Sequence, residues 1–243
     1  MNQEKVGSLD IVQLYPRDMN IYGDWGNTLT LKRRAERYGY EVRVHDYNPG
    51  DPWPDYAHLF VGGGGQDSGQ FRVAEDLARV APKLHEAASA GTPMLVICGL
   101  YQLFGREFRT GGGETLRGIE MFDLETVGGP ERLIGNIVTE SPEFGTIIGY
   151  ENHSGLTTLG PDQAAMATVV SGAGNNGEDG TEGARTHNVL GSYLHGSLLP
   201  KNPAVADFLL RTAVETRGDR FPEASLDDTY AEHARGVAQT RPR

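Results

Sequence analysis

The chain has 243 residues, enough for one large α/β domain whose core needs no covalent staples. Its single cysteine, Cys98, excludes an internal disulfide and a Cys-rich zinc site, and it fits a reducing, cytoplasmic setting. The 22 Lys and Arg against 33 Asp and Glu give a net charge of −11, which repels nucleic acid and anionic membranes. No apolar run approaches the ~20 residues that span a bilayer, and the first residues lack the apolar segment of a secretory leader.

Short apolar runs at residues 11–15, 42–47, 58–61 and 94–97 read as buried parallel strands. Between them, residues 27–38 form an amphipathic helix opened by Asn27 or Thr28. Residues 71–90 form another, with Ala74, Leu77, Ala78 and Ala81 on one stripe. Strands alternating with helices imply right-handed βαβ units and an α/β fold with a mainly parallel sheet flanked by helices.

From residue 118 the pattern changes to turn-broken extended runs at 118–127, 135–139 and 146–150, read as appended antiparallel hairpins. Residues 171–186, SGAGNNGEDGTEGART, are Gly- and Asn-rich and predict a surface loop. A strand at 188–194 precedes a helix opened by Pro203, with Val205, Phe208, Leu209 and Ala213 on one face. These elements outline one domain over 8–217. The remaining tail, 218–243, has little apolar periodicity and is expected to be peripheral or partner-facing.

Three places could carry chemistry. In PMLVICGLYQLFG, Cys98 stands where an apolar strand meets glycine and then a helix, the setting of a nucleophile elbow. Taken alone, Cys98 reads first as a small buried core residue. The run Gly62 to Gly65 ends the preceding strand, so its amides lie on the sheet edge where α/β folds bind ligands. They could form an oxyanion hole; the run lacks the spacing of a phosphate-binding loop. His195, in VLGSYLHGSLL, also follows an apolar run and could serve a thiol as base, or could be a structural histidine.

Together, CGLYQLFG, the glycine run, GYENHSG (149–155) and SYLHGSLLP resemble the class I, triad-type glutamine amidotransferases of the cobyric-acid-synthase-like branch. Within it, MNIYGDWGN (19–27), GQDSGQ (65–70) and ERLIGNIV (131–138) are similar to glutaminase subunits that serve stem-peptide amidation in peptidoglycan synthesis. The resemblance spans about residues 8 to 215. It implies Cys98 as nucleophile, His195 as general base, and the amides of Gly64, Gly65 and Gly99 as oxyanion hole. It also implies Gln102 shaping the substrate site, Arg132 holding the α-carboxylate of glutamine, and Asn152 and His153 bordering the pocket. No metal is implied.

The same resemblance implies a heterodimer with a MurT-like Mur-ligase subunit. ATP and magnesium would be bound by that partner, L-glutamine by this chain, and lipid II only through the partner. Two departures stand out. Leu100 replaces a glycine usual at the elbow of the branch, and no acidic residue follows His195 by two positions, so no third triad carboxylate is assigned. The expectation is that the partner supplies a carboxylate or reorders the loop around His195, with glutaminase activity then conditional on assembly. Other readings left open are a glutaminase of another cobyric-type pathway and a noncatalytic partner-binding subunit.

Overall fold

The computed structural model describes residues 6–241. The chain opens with β1 (Gly7–Leu14), α1 (Trp25–Arg37), β2 (Tyr40–Tyr47), β3 (Leu59–Gly62), α2 (Asp67–Ser89), β4 (Met94–Ile97) and the short α3 (Gly99–Leu103). An antiparallel-rich stretch follows, with β5 (Glu107–Arg109), β6 (Thr115–Arg117), the long β7 (Leu124–Ser141) and β8 (Gly145–Leu159), β9 (Ala167–Ser171) and β10 (Thr181–Glu182). The chain then returns through β11 (Ala184–Thr186), β12 (Val189–Ser192) and the two-residue β13 (Leu194–His195) to α4 (Pro203–Glu215) and α5 (Thr229–Gln239).

The strands form two sheets. The first has the order β11-β12-β4-β3-β1-β2 and is parallel except for its β11 edge. β3 and β4, LFVG and MLVI, are buried at every position, as strands covered on both faces must be. The second sheet is mostly antiparallel and is dominated by the β7–β8 pairing, whose register shifts between Gly128 and Leu133. The expected α/β architecture with appended hairpins is therefore present, although the three short hairpin runs merge into two long strands.

Three expectations change in detail. The buried stripe of α2 is Val73, Leu77, Val80 and Leu84, while Ala78 is exposed; larger apolar groups gain more from burial than alanine does. The single strand expected over 188–194 is broken at Tyr193, with β12 in the parallel sheet and β13 paired to β8 in the other. The stretch 171–186 is not simply a surface loop, since it carries β10 and β11 and buries Asn175 and Glu182 completely. Its glycines supply positive φ at Gly172, Gly174, Gly177, Gly180 and Gly183, which lets the chain fold tightly back on itself.

The tail is tied to the domain at several points. Phe221 is buried against Tyr38, ring centroids 4.7 Å apart, and Arg34 forms a fork on Asp207 at 2.7 and 2.8 Å while also reaching Asp228. The helix α5 has no fully buried residue of its own, and Arg235 reaches the Thr146 carbonyl. Among the described residues no helix is long and apolar enough to cross a membrane.

Candidate active site

The parallel sheet brings three chain segments to one edge. β3 runs into the glycine loop, β4 runs into Cys98, and β12, in register with β4 through Ser192 and Ile97, runs towards His195. Cys98 sits at φ 49°, ψ −103°, a conformation that L-residues adopt at a cost, and it immediately precedes the first turn of α3. That strand–turn–helix geometry is the one expected of a nucleophile elbow. The Cys98 amide donates to the Ser192 carbonyl at 2.8 Å, tying the elbow to the strand that leads to the histidine.

Leu100, the departure from the family elbow, is fully buried and lies over Gly62. A Cβ at Gly62 would come 2.2 Å from Leu100 Cδ1. The close packing that a glycine at position 100 would allow is thus supplied by the glycine beneath it.

His195 is 1% exposed. Its Nδ1 lies 3.1 Å from Asp24 Oδ1, and Nε2, which has no hydrogen-bond partner among the described residues, is left on the Cys98 side. Burial by itself would lower the imidazole pKa, but the neighbouring Cys98 and the bonded Asp24 carboxylate outweigh it and raise it to about 10. The imidazole thus lies between the Asp24 carboxylate and Cys98, the arrangement in which a carboxylate steadies a charged histidine beside a nucleophile.

Asp24 is the functional residue that the sequence reading left without a role. It occupies the cap position of α1 yet makes no capping bond; Asn20 Oδ1 accepts the Trp25 amide in its place. The released carboxylate turns inwards, with Oδ2 accepting the Gly64 N–H at 2.7 Å. The signal available in sequence was an aspartate at a helix start inside the quoted stretch 19–27. With Asp24 bonded to His195, the expectation of a partner-supplied carboxylate loses its basis.

The glycine run also differs in part from its expected use. Because the Gly64 N–H is committed to Asp24, it is not available as an oxyanion donor. Gly64 serves instead by having no side chain: a Cβ there would lie 2.9 Å from His195 Cε1 and 3.0 Å from Cys98 Cβ. Gly65 and Gly99 remain together, with the Gly65 nitrogen 2.9 Å from where a Gly99 Cβ would stand. Their amides can converge on an oxygen beside Cys98.

A cleft of about 340 Å³ opens over the thiol, lined by Gly65, Cys98, Gln102, Arg132, Asn152 and His153, and also by Tyr22. Arg132 stands at its rim, donating to Asn152 Oδ1 at 2.8 and 3.0 Å, to the Asn152 carbonyl, and to Tyr22 Oη at 3.3 Å. Tyr22, at φ 60°, packs edge-on to the His195 ring at 4.9 Å. Gln102 lies beneath the cleft in a buried chain, accepting from Gln70 Nε2 at 2.8 Å and donating to Tyr193 Oη at 3.1 Å. His153 stacks on Tyr193, centroids 3.6 Å apart, and bonds the Gly155 carbonyl through Nδ1. Burial holds it neutral, with its pKa down to about 4. All nine residues singled out from sequence therefore gather at one site, with Gly64 in an altered part.

The comparisons with known proteins agree with this geometry. Residues 10–203 match the model of the CobB/CobQ-like glutamine amidotransferase domain. The chain is 38% identical over 230 residues to the protein named lipid II isoglutaminyl synthase (glutamine-hydrolyzing) subunit GatD of Staphylococcus aureus strain N315, covering 94% of each. It is 37% identical to the protein of the same name from Streptococcus pneumoniae strain R6, covering 86% of this chain and 82% of that one. A crystal structure of a glutamine amidotransferase superposes with a TM-score of 0.57 over 83% of this chain and 98% of the other, and at 16% identity that likeness shows the fold. The chain belongs to the CobB/CobQ-like glutamine amidotransferase family.

Proposed function

We propose that this chain is the glutamine-hydrolysing subunit of a lipid II isoglutaminyl synthase, in which Cys98 is the nucleophile and His195, steadied by Asp24, the acid and base. The observation that carries the chemistry is the Asp24–His195 contact at the strained Cys98 elbow. The identity to two subunits of that name, over most of each chain, supports the assignment to this synthase.

In this reading the Cys98 thiolate attacks the side-chain amide carbon of glutamine, and the oxygen that gains charge is met by the Gly65 and Gly99 amides. His195 gives its proton to the departing nitrogen, releasing ammonia and leaving a γ-glutamyl thioester. Water then attacks the thioester; His195 takes its proton, and glutamate leaves as the thiolate is restored. Arg132, held at the rim by Asn152, pairs with the α-carboxylate of the substrate.

Ammonia released here would be consumed by a MurT-like Mur-ligase subunit that binds ATP and magnesium and activates the D-glutamate α-carboxylate of the lipid II stem peptide. This chain would meet lipid II only through that partner. The test is amidation of lipid II by the co-purified subunits with glutamine as nitrogen donor. Cys98→Ala is expected to abolish it while free ammonia still supports it. If the pair amidates a different acceptor and leaves lipid II untouched, the assignment of the acceptor fails while that of the glutaminase stands.

A further inference from the structure

The Gly- and Asn-rich stretch 171–186 buries two polar side chains, Asn175 bonding the helix that follows Cys98 and Glu182 the segment that precedes His195. Asn175 Oδ1 accepts from Tyr101 Oη at 3.1 Å, on the helix that starts beside Cys98. Glu182 Oε1 accepts from Ser192 Oγ at 2.7 Å and from the Tyr193 amide at 2.9 Å. Ser192 Oγ in turn accepts the Leu194 amide at 3.0 Å.

These bonds fall where the chain leaves one sheet for the other. Tyr193 belongs to neither strand, and a buried amide without a partner is costly, so the break between β12 and β13 needs acceptors from outside the ladders. Glu182 and Ser192 supply them. Directly before the break, the Ser192 carbonyl holds the Cys98 amide; directly after it, His195 pairs with Tyr150. The clamp therefore holds the backbone that joins the segment fixing the nucleophile to the one carrying the base.

Glu182 is an expensive way to build such a joint. It is 0% exposed, its Oε2 has no hydrogen-bond partner among the described residues, and burial together with the charge of nearby Glu151 pushes its pKa up to about 7. Glu151 is itself buried and accepts from the Ala173 and Gly174 amides at 2.9 Å, anchoring the same stretch to β8 beside β13.

We propose that Glu182 is a positioning residue for glutamine hydrolysis, setting the break between β12 and β13 and with it the approach of His195 to Cys98. The proposal rests on the reading of those two residues as the reacting pair. Its leverage is geometric: His195 is three residues beyond Ser192, and a displacement of about 1 Å at reacting groups costs on the order of 100-fold in rate.

The test compares Glu182→Gln, Glu182→Ala and Ser192→Ala in the full chain, reading kcat and KM for glutamine and the rate at which iodoacetamide alkylates Cys98 at fixed pH. Glu182→Gln keeps the accepting Oε1 and is expected to hold kcat within about threefold, whereas Glu182→Ala lowers kcat by about 100-fold with KM within about twofold. Ser192→Ala is expected to lower kcat by about tenfold, and both alanine variants to slow alkylation, because the imidazolium no longer faces the thiolate.

A folded Glu182→Ala chain with unchanged kcat, or equal losses in the Gln and Ala variants, would overturn the proposal. If Glu182→Ala does not fold, Ser192→Ala decides, and an unchanged kcat there overturns it as well. Hydrolysis surviving in Cys98→Ala would instead sink the reacting pair on which the proposal stands, a result separable from an inert clamp.

Discussion

Asp24 and His195 are 171 residues apart in sequence and 3.1 Å apart in space, and the same carboxylate that meets the imidazole also holds the Gly64 amide at 2.7 Å. One side chain thereby orients the imidazole and holds the loop that faces it. With Nδ1 donating to Asp24, Nε2 is the nitrogen left to exchange protons with Cys98 and substrate.

Asp24→Asn keeps the volume and removes the charge. The expected result is a loss of about 100-fold or more in kcat with the fold retained, as for an orienting carboxylate made neutral. Because Asp24 helps to hold His195 protonated to about 10, the alkaline limb of kcat/KM should begin at lower pH in the variant. A rate profile with an unmoved alkaline limb counts against the contact.

Gly64→Ala places a methyl group between the nucleophile and the base, 2.9 Å from His195 Cε1 and 3.0 Å from Cys98 Cβ. One or both must move, and a drop of about 100-fold in kcat is expected with little change in thermal unfolding. Activity near that of the parent would show that the pair has more room than the geometry allows.

Arg132→Ala is expected to act on KM, weakening glutamine use by about 1.5 to 3 kcal/mol, the range for hydrogen bonds to a charged group. Amidation supported by free ammonia should survive. Loss of both would assign Arg132 to the fold of the rim, where it already bonds Asn152 and Tyr22.

His153 makes the native state sensitive to acid. Its folded pKa, about 4, lies below the ordinary 6.5, so its neutral form contributes stability above pH 6.5 that is lost as the pH falls towards 4. Glu182, raised to about 7, works in the opposite sense over an overlapping range, so the measurement is a comparison of variants. Between pH 7.5 and 5 the parent should lose on the order of 2 kcal/mol relative to His153→Gln in denaturant unfolding. Parallel curves would show that His153 is not held neutral by burial.

What the sequence made legible follows from how local each signal is. The apolar runs, the elbow around Cys98 and the position of His195 after a strand are short-range patterns, and each could be read in place. Asp24 could not, because its partner is 171 residues away and its own position resembles an ordinary helix cap. Glu182 was hidden for a different reason: composition marks residues 171–186 as solvent-exposed, and only the tertiary fold shows that Asn175 and Glu182 are buried. Gly64 was found for the wrong purpose, since a missing side chain and a free amide leave the same mark in a sequence.

Cys98 is carried by the parallel sheet, whereas His195 is hung from the other sheet by its pairing with Tyr150. Neither sheet holds a working centre alone. A shift of the β7–β8 ribbon against the first sheet would have to break the Asp24–His195 contact or strain the Glu182 bonds at the β12/β13 break. The alignment of the two sheets is therefore kept by a few side chains at their seam, and the rate of Cys98 alkylation reads out the loss of any one of them.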